Sequence, residues 1–375
     1  MPSSIGELRR ETMTDGTAGG FETLADLEAS AAAKVPEDVW AFVQGGAGEE
    51  TTLRSNRDAF HQRTLRPRVL TGVDALDLRT HLLGAPVSAP FFIAPTAYHG
   101  LLHPDGELAT ARAARAAGVL VAVSTLSTCS LEAIAEAAAS GPRWFQLYLQ
   151  PEFEGSVGLL ERAEHAGYRA VVLTVDAPVL GNRDRQARGG VAIDAPVPIG
   201  NGPEIVSPPR APVPDGEIYR LGPETRATWE VLDRLRARTS LPFVVKGILT
   251  GADARHAVDH GARAVVVSNH GGRQLDGAPA ALDALPEIVE AVGTKAEVYL
   301  DGGIRRGSDI VMALALGARG VGLGRPVLWA LATGGEAGVA RLLSLLKVDL
   351  ATVMALTGRT SIAAIDGSIL GAARW

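Results

Sequence analysis

The stretch Val265–Gly277, VVVSNHGGRQLDG, holds the residues best suited to chemistry. Three consecutive valines have the composition of a buried strand, and the run stops at Ser268, Asn269 and His270, followed by two glycines, Arg273 and Asp276. An imidazole at the end of a stiff strand can serve as a general base, because its unperturbed pKa lies near neutral pH and the scaffold fixes its position. Three residues on, the guanidinium of Arg273 offers a planar fork of donors matched to a carboxylate. An ordinary polar strand end would look much the same, so the weight of this turn depends on what the rest of the chain brings to the same place.

Those partners belong at the ends of other strands. After Gly84, eight short apolar runs recur: Phe91–Pro95, Leu120–Thr125, Trp144–Tyr148, Ala170–Asp176, Phe243–Gly247, Ala264–Asn269, Val298–Gly302 and Gly320–Arg325. Stretches of helical period lie between them, such as Glu107–Ala117, Leu131–Ala139, Val157–Ala166, Trp229–Arg238, Asp253–His260 and Asp309–Leu316. Eight strand-helix units in alternation predict an α/β fold of the (β/α)8 TIM-barrel type, whose active sites sit at the C-terminal strand ends. Those ends supply Thr96, Ser124, Gln146 with Tyr148, Thr174 with Asp176, Lys246, Ser268 with His270, Asp301 with Arg305, and Gly324 with Arg325. The last two loops, DGGIRR (Asp301–Arg306) and GLGRP (Gly322–Pro326), pair glycine with arginine at the position where such barrels hold a phosphate.

Composition narrows the classes. The chain has 375 residues, 46% hydrophobic and 21% charged, with a net charge of −6. A pI near 5.8 leaves no basic footprint for nucleic acid. A single cysteine, Cys129, excludes an internal disulfide and a cysteine-cluster metal site. The first 20 residues lack the apolar core of a signal peptide and read as a flexible leader; with no apolar run of membrane-spanning length, the expected location is cytoplasmic. Residues 21–84 read as an N-terminal helical segment, with Pro36 opening a second helix, Gly45-Gly46 ending it, and Arg54–Leu70 as a connector. Residues 85–375 read as the barrel, with the Pro-rich 184–225 as a mobile lid loop.

Other conspicuous residues read as structural. His256 and His260 are four apart on one helix, without a third ligand nearby, and are expected as an exposed pair on the outer ring. His99 and His103 fall in the first βα loop, where hydrogen-bonded structural roles are expected. Cys129 opens a helix beside Ser130, which would lower its pKa mildly, but it lacks an evident base and reads as a packed residue.

Taken together, SNHGGRQLDG, DGGIRRG, GRP, LTVDAP (Leu173–Pro178), FQLY (Phe145–Tyr148), VKG (Val245–Gly247) and PTAYHGLLHPDGE (Pro95–Glu107) resemble the FMN-dependent 2-hydroxy acid oxidase and dehydrogenase family. The resemblance runs in order from about Phe21 to Ile365, leaving out the leader and the stretch near Asp194–Gly222. It implies FMN as cofactor, His270 as catalytic base, and Asp176 as the carboxylate that orients it. Arg183 and Arg273 would clamp the carboxylate of a 2-hydroxy acid, and Tyr148 would hydrogen-bond the reacting oxygen. Lys246 would stand by the flavin pyrimidine, with Thr96, Ala97, Ser124, Gln146 and Thr174 along the isoalloxazine or ribityl chain. Ser268 would add a supporting or ribityl contact, and Asp301, Gly303, Arg305, Gly324 and Arg325 would hold the ribityl and phosphate.

The departures from the family pattern bear on specificity. Where glycolate oxidase-like members have a tyrosine in the N-terminal helices, this chain has Phe42, which reads either as core or as the wall of a pocket for a bulky or aromatic acid. Tyr98 adds a second aromatic near that pocket. The segment after the fourth strand is too rich in Pro and Gly to insert in a membrane, no haem domain is fused, and Ala97 stands where some dehydrogenases have glycine, so O2 is the expected acceptor. Rival readings are a dehydrogenase using a quinone or other acceptor, an FMN-dependent isomerase, and a flavin binder without turnover. The resemblance also implies a homotetramer or homo-octamer.

Overall fold

The computed structural model describes residues 21–188, 199–202 and 227–371. An antiparallel hairpin, β1 (Thr80–Leu82) and β2 (Ala85–Val87), precedes eight parallel strands. These are β3 (Phe91–Ile93), β4 (Leu120–Ser124), β5 (Arg143–Leu147), β6 (Val171–Thr174), β7 (Phe243–Ile248), β8 (Ala264–Val267), β9 (Glu297–Asp301) and β10 (Gly320–Leu323). They follow one another in sequence order, and β10 closes on β3 with Val321 opposite Phe91, so the sheet is the expected closed barrel.

Alternation along each strand explains how one end becomes a packed floor and the other a site. The inner cluster contains Phe92, Ala94, Leu120, Ala122, Trp144, Val172, Val244, Ala264, Val266 and Tyr299. Continuing each strand by two residues from its inner apolar side chain gives Thr96, Ser124, Gln146, Thr174, Lys246, Ser268 and Asp301. Because side chains alternate with period two, the same faces that fill the floor with hydrocarbon present polar groups to the mouth. The intervening residues, among them Val121, Phe145, Leu173, Val245 and Val265, face outward into the larger core under the helices. Gly322 belongs to the same inner phase, and a Cβ there would lie 3.1 Å from the Phe92 ring.

The helices are α1 (Leu24–Lys34), α2 (Glu37–Gln44), α3 (Thr51–His61), α4 (Gly106–Ala116), α5 (Leu131–Ala138), α6 (Phe153–His165) and α7 (Asp184–Arg188), followed by α8 (Trp229–Arg236), α9 (Gly251–Asp259), α10 (Ala281–Val292), α11 (Gly307–Ala315) and α12 (Arg325–Leu356). Thr23 and Asp26 form a reciprocal capping box that starts α1. Pro36 stands one residue before α2, and Gly45 caps its end. α12 is broken at Gly334 and Gly335, the latter at φ 56°.

Two elements differ from the sequence reading. Arg54–Leu70, read as a connector, begins inside α3, whose buried residues Thr52, Asn56, Ala59 and Phe60 make a helical stripe in which half the members are polar. The hairpin straddles residue 84 and sends Leu82 and Val87 into the inner cluster, stoppering the end of the barrel opposite the polar mouth. It is fastened there by Leu83 N–H, which donates to Tyr299 Oη at 3.1 Å. Of the stretch expected as a lid, only α7 and the turn at 199–202 lie among the described residues. That turn is anchored: Asn201 is buried, accepts from Leu131 N at 2.9 Å and donates to Thr125 O at 2.8 Å.

Leu82→Ala opens a cavity where the hairpin meets the barrel floor and is expected to cost about 3 kcal/mol. An earlier urea unfolding midpoint would show this; an unchanged midpoint would mean that the hairpin is not part of the packed core.

Candidate active site

The C-terminal mouth of the barrel opens into a cavity of about 1400 Å³, open solvent at its entrance included. Its walls include Thr96, Ala97, Tyr98, Ser124, Tyr148, Arg183, Lys246, His270, Arg273, Asp301, Gly303, Arg305, Gly324 and Arg325, with Phe42 from α2. Eight strand ends and the N-terminal helices thus converge on one space. Gln146, Thr174, Asp176 and Ser268, also expected at the site, stand behind this lining and support it.

His270 is the third residue after the end of β8 and has φ 60°, a conformation unusual for a non-glycine residue. Its Nδ1 is 2.9 Å from Asp176 Oδ1, and its Nε2 is 3.3 Å from the Tyr148 hydroxyl. An ionised Asp176 accepts the Nδ1 proton, leaving Nε2 as the basic atom facing the cavity. Burial pushes the imidazole below its ordinary pKa, which Asp176 opposes and the Lys246 charge reinforces. Burial alone would raise Asp176, but the charges of His270 and Lys246 and the hydrogen bond from His270 hold it below the usual carboxylate value. Gly247, at φ 112°, makes room for this pair: a Cβ there would lie 2.5 Å from Asp176 Cβ. Burial raises Tyr148 to about 12, so its hydroxyl remains protonated and able to donate.

A chain of hydrogen bonds runs behind the lining. Ser124 Oγ donates to Gln146 Oε1 at 3.0 Å, and Gln146 Nε2 donates to Thr174 Oγ1 at 3.0 Å. Lys246 Nζ lies 3.1 Å from Ser268 Oγ and 3.5 Å from Asp301 Oδ2. Burial would lower this lysine, yet Asp301 and Asp176 outweigh it and keep the ammonium charged. Asp301 Oδ1 is buried with no hydrogen-bond partner among the described residues, an acceptor left for something in the cavity.

The arginines define the electrostatics. Arg273 Nη1 donates to the carbonyls of Phe42 and Gly45, both at 2.7 Å. Arg325 donates to Val43 O and Gly45 O at 2.9 Å and to Gly271 O at 3.0 Å. Apart from Gly271 O, which belongs to the loop after β8, these are orphan carbonyls at the C-terminus of α2, so neutral dipoles rather than carboxylates hold the two guanidiniums. Burial pushes Arg273 well below its ordinary pKa, and the charges of Arg183 and Arg325 push it the same way. Burial likewise lowers Arg325 to about 10 and Arg305 to about 9. Arg183 is lowered by burial, and its Nε has no partner among the described residues. Such a cluster is arranged for anions: one side by Arg183 and Arg273 near His270, the other by Arg305, Arg325, Gly303 and Gly324. At Gly303, φ 83°, a Cβ would fall 2.2 Å from Asn56 O, so backbone approach there requires glycine.

Phe42 is half-buried on the cavity, with Arg273 Cζ 5.1 Å and Arg183 Cζ 6.0 Å from its ring centre. Its ring lies 6.0 Å from that of Tyr98. Tyr98 also adopts φ 60°. Sequence reasoning left out Asn56, Arg57, Asn269 and Gln274, which brace these loops; a polar stripe on α3 and amides flanking His270 were the available signals. Gln274 Nε2 donates to Asp176 O and Val179 O, both at 2.9 Å.

The residues set aside are structural. His99 is buried between Thr96 and Thr110, at 2.7 and 3.0 Å. His256 and His260 stack on Trp229 with ring centres 5.8 and 5.5 Å away, so they are not a bare pair. The mild activation expected of Cys129 is not found: burial and the charge of Glu107 push the thiol up. Among the described residues no group of three potential ligands could hold a metal, and no helix is long and apolar enough to cross a membrane.

Comparison with known proteins matches residues 31–372 to a family model described as FMN-dependent dehydrogenase. The chain is 48% identical to L-lactate oxidase of Nostoc sp. over 354 residues, covering 92% of this chain and 97% of that protein. It is 45% identical to 4-hydroxymandelate oxidase of Amycolatopsis orientalis over 349 residues, covering 92% and 96%. Among solved structures, mandelate oxidase with benzoyl-formic acid superimposes with a TM-score of 0.85 at 44% identity, covering 94% of this chain and 98% of that one.

The geometry predicts that His270 remains neutral, with its proton on Nδ1, to a pH below the ordinary histidine value of about 6.5. Removing the carboxylate in Asp176→Asn takes away the interaction that raises the imidazole pKa, so His270 then titrates lower still. Imidazole nitrogen NMR across pH measures both; a His270 titrating above that value in the wild type would contradict the site as drawn.

Proposed function

The chain belongs to the FMN-dependent dehydrogenase family, and from that premise we propose that it oxidises an (S)-2-hydroxy acid with an aromatic or bulky side chain to the 2-oxo acid. The acid is of the mandelate or 4-hydroxymandelate kind, and O2 is the acceptor, leaving as H2O2. Its relatives are FMN-dependent 2-hydroxy acid oxidases, which makes the chain an oxidoreductase with FMN as cofactor. The observation that carries the reading is the His270–Asp176 pair, at 2.9 Å, beside buried arginines in one cavity.

The residues fit FMN. The cavity brings a phosphate-type arginine and glycine loop, a lysine and polar strand ends together in one space. Arg305, Arg325, Gly303 and Gly324 would hold the phosphate, and the unpartnered Asp301 Oδ1 suits a ribityl hydroxyl. Thr96, Ala97, Ser124 and Lys246 would line the ring system, with Gln146, Thr174 and Ser268 orienting them from behind. FMN bound there supplies the two-electron acceptor for the substrate.

The chain's own residues do the rest. Arg183 and Arg273 bind the substrate carboxylate, and desolvation strengthens that attraction. Tyr148 donates to the substrate hydroxyl oxygen. His270 Nε2 receives a proton from the substrate, at the α-carbon or the hydroxyl according to the order of events, and in either order Asp176 stabilises the imidazolium. Lys246 places a permanent positive charge where electron density accumulates.

Phe42 and Tyr98 support the bulky side chain. With phenylalanine at this position the wall offers an aromatic ring and no hydroxyl, and Tyr98 faces it at 6.0 Å. The 48% likeness to an L-lactate oxidase favours a rival reading, a small aliphatic acid.

Anaerobic mixing of the flavoprotein with mandelate, 4-hydroxymandelate, lactate and glycolate, followed by air, separates these readings. Rapid bleaching by the aromatic acids and recovery with peroxide are expected. Faster bleaching by lactate or glycolate would overturn the substrate reading, and slow recovery in air would overturn O2 as acceptor. His270→Ala is expected to keep the flavin colour and lose about a thousandfold in the bleaching rate.

A further inference from the structure

Helix α3 touches both loops on which the proposed chemistry depends. Residues 270, 271 and 272, in the loop after β8, all have positive φ, at 60°, 64° and 74°. Three consecutive left-handed residues, one of them histidine, form a turn that local preferences do not stabilise. Support comes from Asn56, which is buried on α3. Its Nδ2 donates to Asn269 Oδ1 and its Oδ1 accepts from Asn269 Nδ2, both at 2.8 Å. Asn269 Oδ1 also accepts Gly272 N–H at 3.0 Å, while Asn269 Nδ2 reaches Pro279 O at 3.0 Å. Asn56 Oδ1 takes in addition Ala281 N–H at 3.1 Å. The two amides therefore close the turn that contains His270 and tie it to α3 and α10.

The next residue points elsewhere, since adjacent helical side chains are separated by about 100°. Arg57 Nη1 donates to Gly303 O and to Asp309 Oδ2, the latter at 2.9 Å. The same Asp309 oxygen accepts the N–H groups of Arg305 at 2.8 Å and Arg306 at 3.0 Å. Arg57 thus fixes the glycine-arginine loop after β9 from below.

We infer that Asn56 and Arg57 divide the alignment of the site between them: Asn56 positions the catalytic base through Asn269, and Arg57 positions the loop that binds the cofactor phosphate. Both are positioning residues, and the inference rests on the flavin reading above. Loss of Asn56 frees Asn269 and lets the left-handed turn relax, displacing Nε2 from the substrate. Loss of Arg57 leaves Asp309 and Gly303 O unpaired beside the phosphate loop.

The test uses the full chain and two readouts: the FMN dissociation constant from flavin fluorescence, and the rate of anaerobic bleaching, at saturating FMN, by whichever 2-hydroxy acid reduces the wild type. Arg57→Ala is expected to weaken FMN binding by about tenfold or more, with part of the loss recovered in Arg57→Lys, which keeps a charged donor. Asn56→Ala is expected to slow bleaching by about tenfold or more while changing FMN affinity less than about threefold. If Asn56→Ala does not fold, Asn56→Ser, which keeps a short polar group, replaces it. General loosening of the fold would move both readouts in both variants; that result, or no change in either, overturns the inference. A wild type that binds no FMN, or is bleached by no 2-hydroxy acid, overturns the flavin reading and this inference with it, and is recognised without any variant.

Discussion

Burial of several arginines beside one another, which strips their water and sets their charges against each other, is the constraint on which the site depends. Arg273 feels the charges of Arg183 and Arg325, and Arg305 that of Arg325, in a cavity that also buries them. Water is largely withdrawn from these groups, and the protein supplies few carboxylates in return. Glu50, Glu28 and Asp309 offset part of the repulsion, and Glu50 is also committed to Arg185 and to Gly46 N–H. Carbonyls at the end of α2 hold Arg273 and Arg325 in place without neutralising them. The field of the site is therefore directed into the cavity, where anionic ligands complete it. This also explains why the N-terminal helices lie over the mouth of the barrel: they bring the negative end of a helix dipole to guanidiniums that the strands cannot satisfy.

A second arrangement depends on strand phase. Inner-facing positions change from Phe, Trp, Tyr and Val on the floor to Ser, Gln, Lys and Asp at the mouth with no change of register. The floor keeps the barrel filled, and the mouth inherits its rigidity. His270 departs from this regularity through its left-handed backbone, which turns the imidazole toward Tyr148 and Asp176. A non-glycine residue in that conformation is tolerated because neighbouring amides over-determine the turn.

The sequence made the barrel legible because each strand is a short apolar run with a polar or glycine end, and that repetition survives without knowledge of contacts. Most of the residues expected at the site line its cavity. Gln146, Thr174 and Ser268 share the inner phase of Ser124, Lys246 and Asp301 yet, like Asp176, do not line the cavity, a distinction that the linear order cannot express. α3 was illegible because its buried face is rich in polar atoms: Thr52 and Asn56 look like surface residues until their partners in the loop after β8 and at the start of α10 are known. The hairpin was missed for the opposite reason, since each of its strands is only three residues long and fits a loop as well. Phe42 could be read as core or as cavity wall, and only the placement of α2 over the mouth distinguishes the two.

The claim that this cationic cavity requires anions is tested most directly by melting the apoprotein with FMN and, separately, with riboflavin. The two ligands share the ring system and differ in the phosphate. The account predicts a large, saturable rise in Tm with FMN and a much smaller one with riboflavin, because only FMN relieves the repulsion around Arg305 and Arg325. Equal stabilisation by both would contradict it.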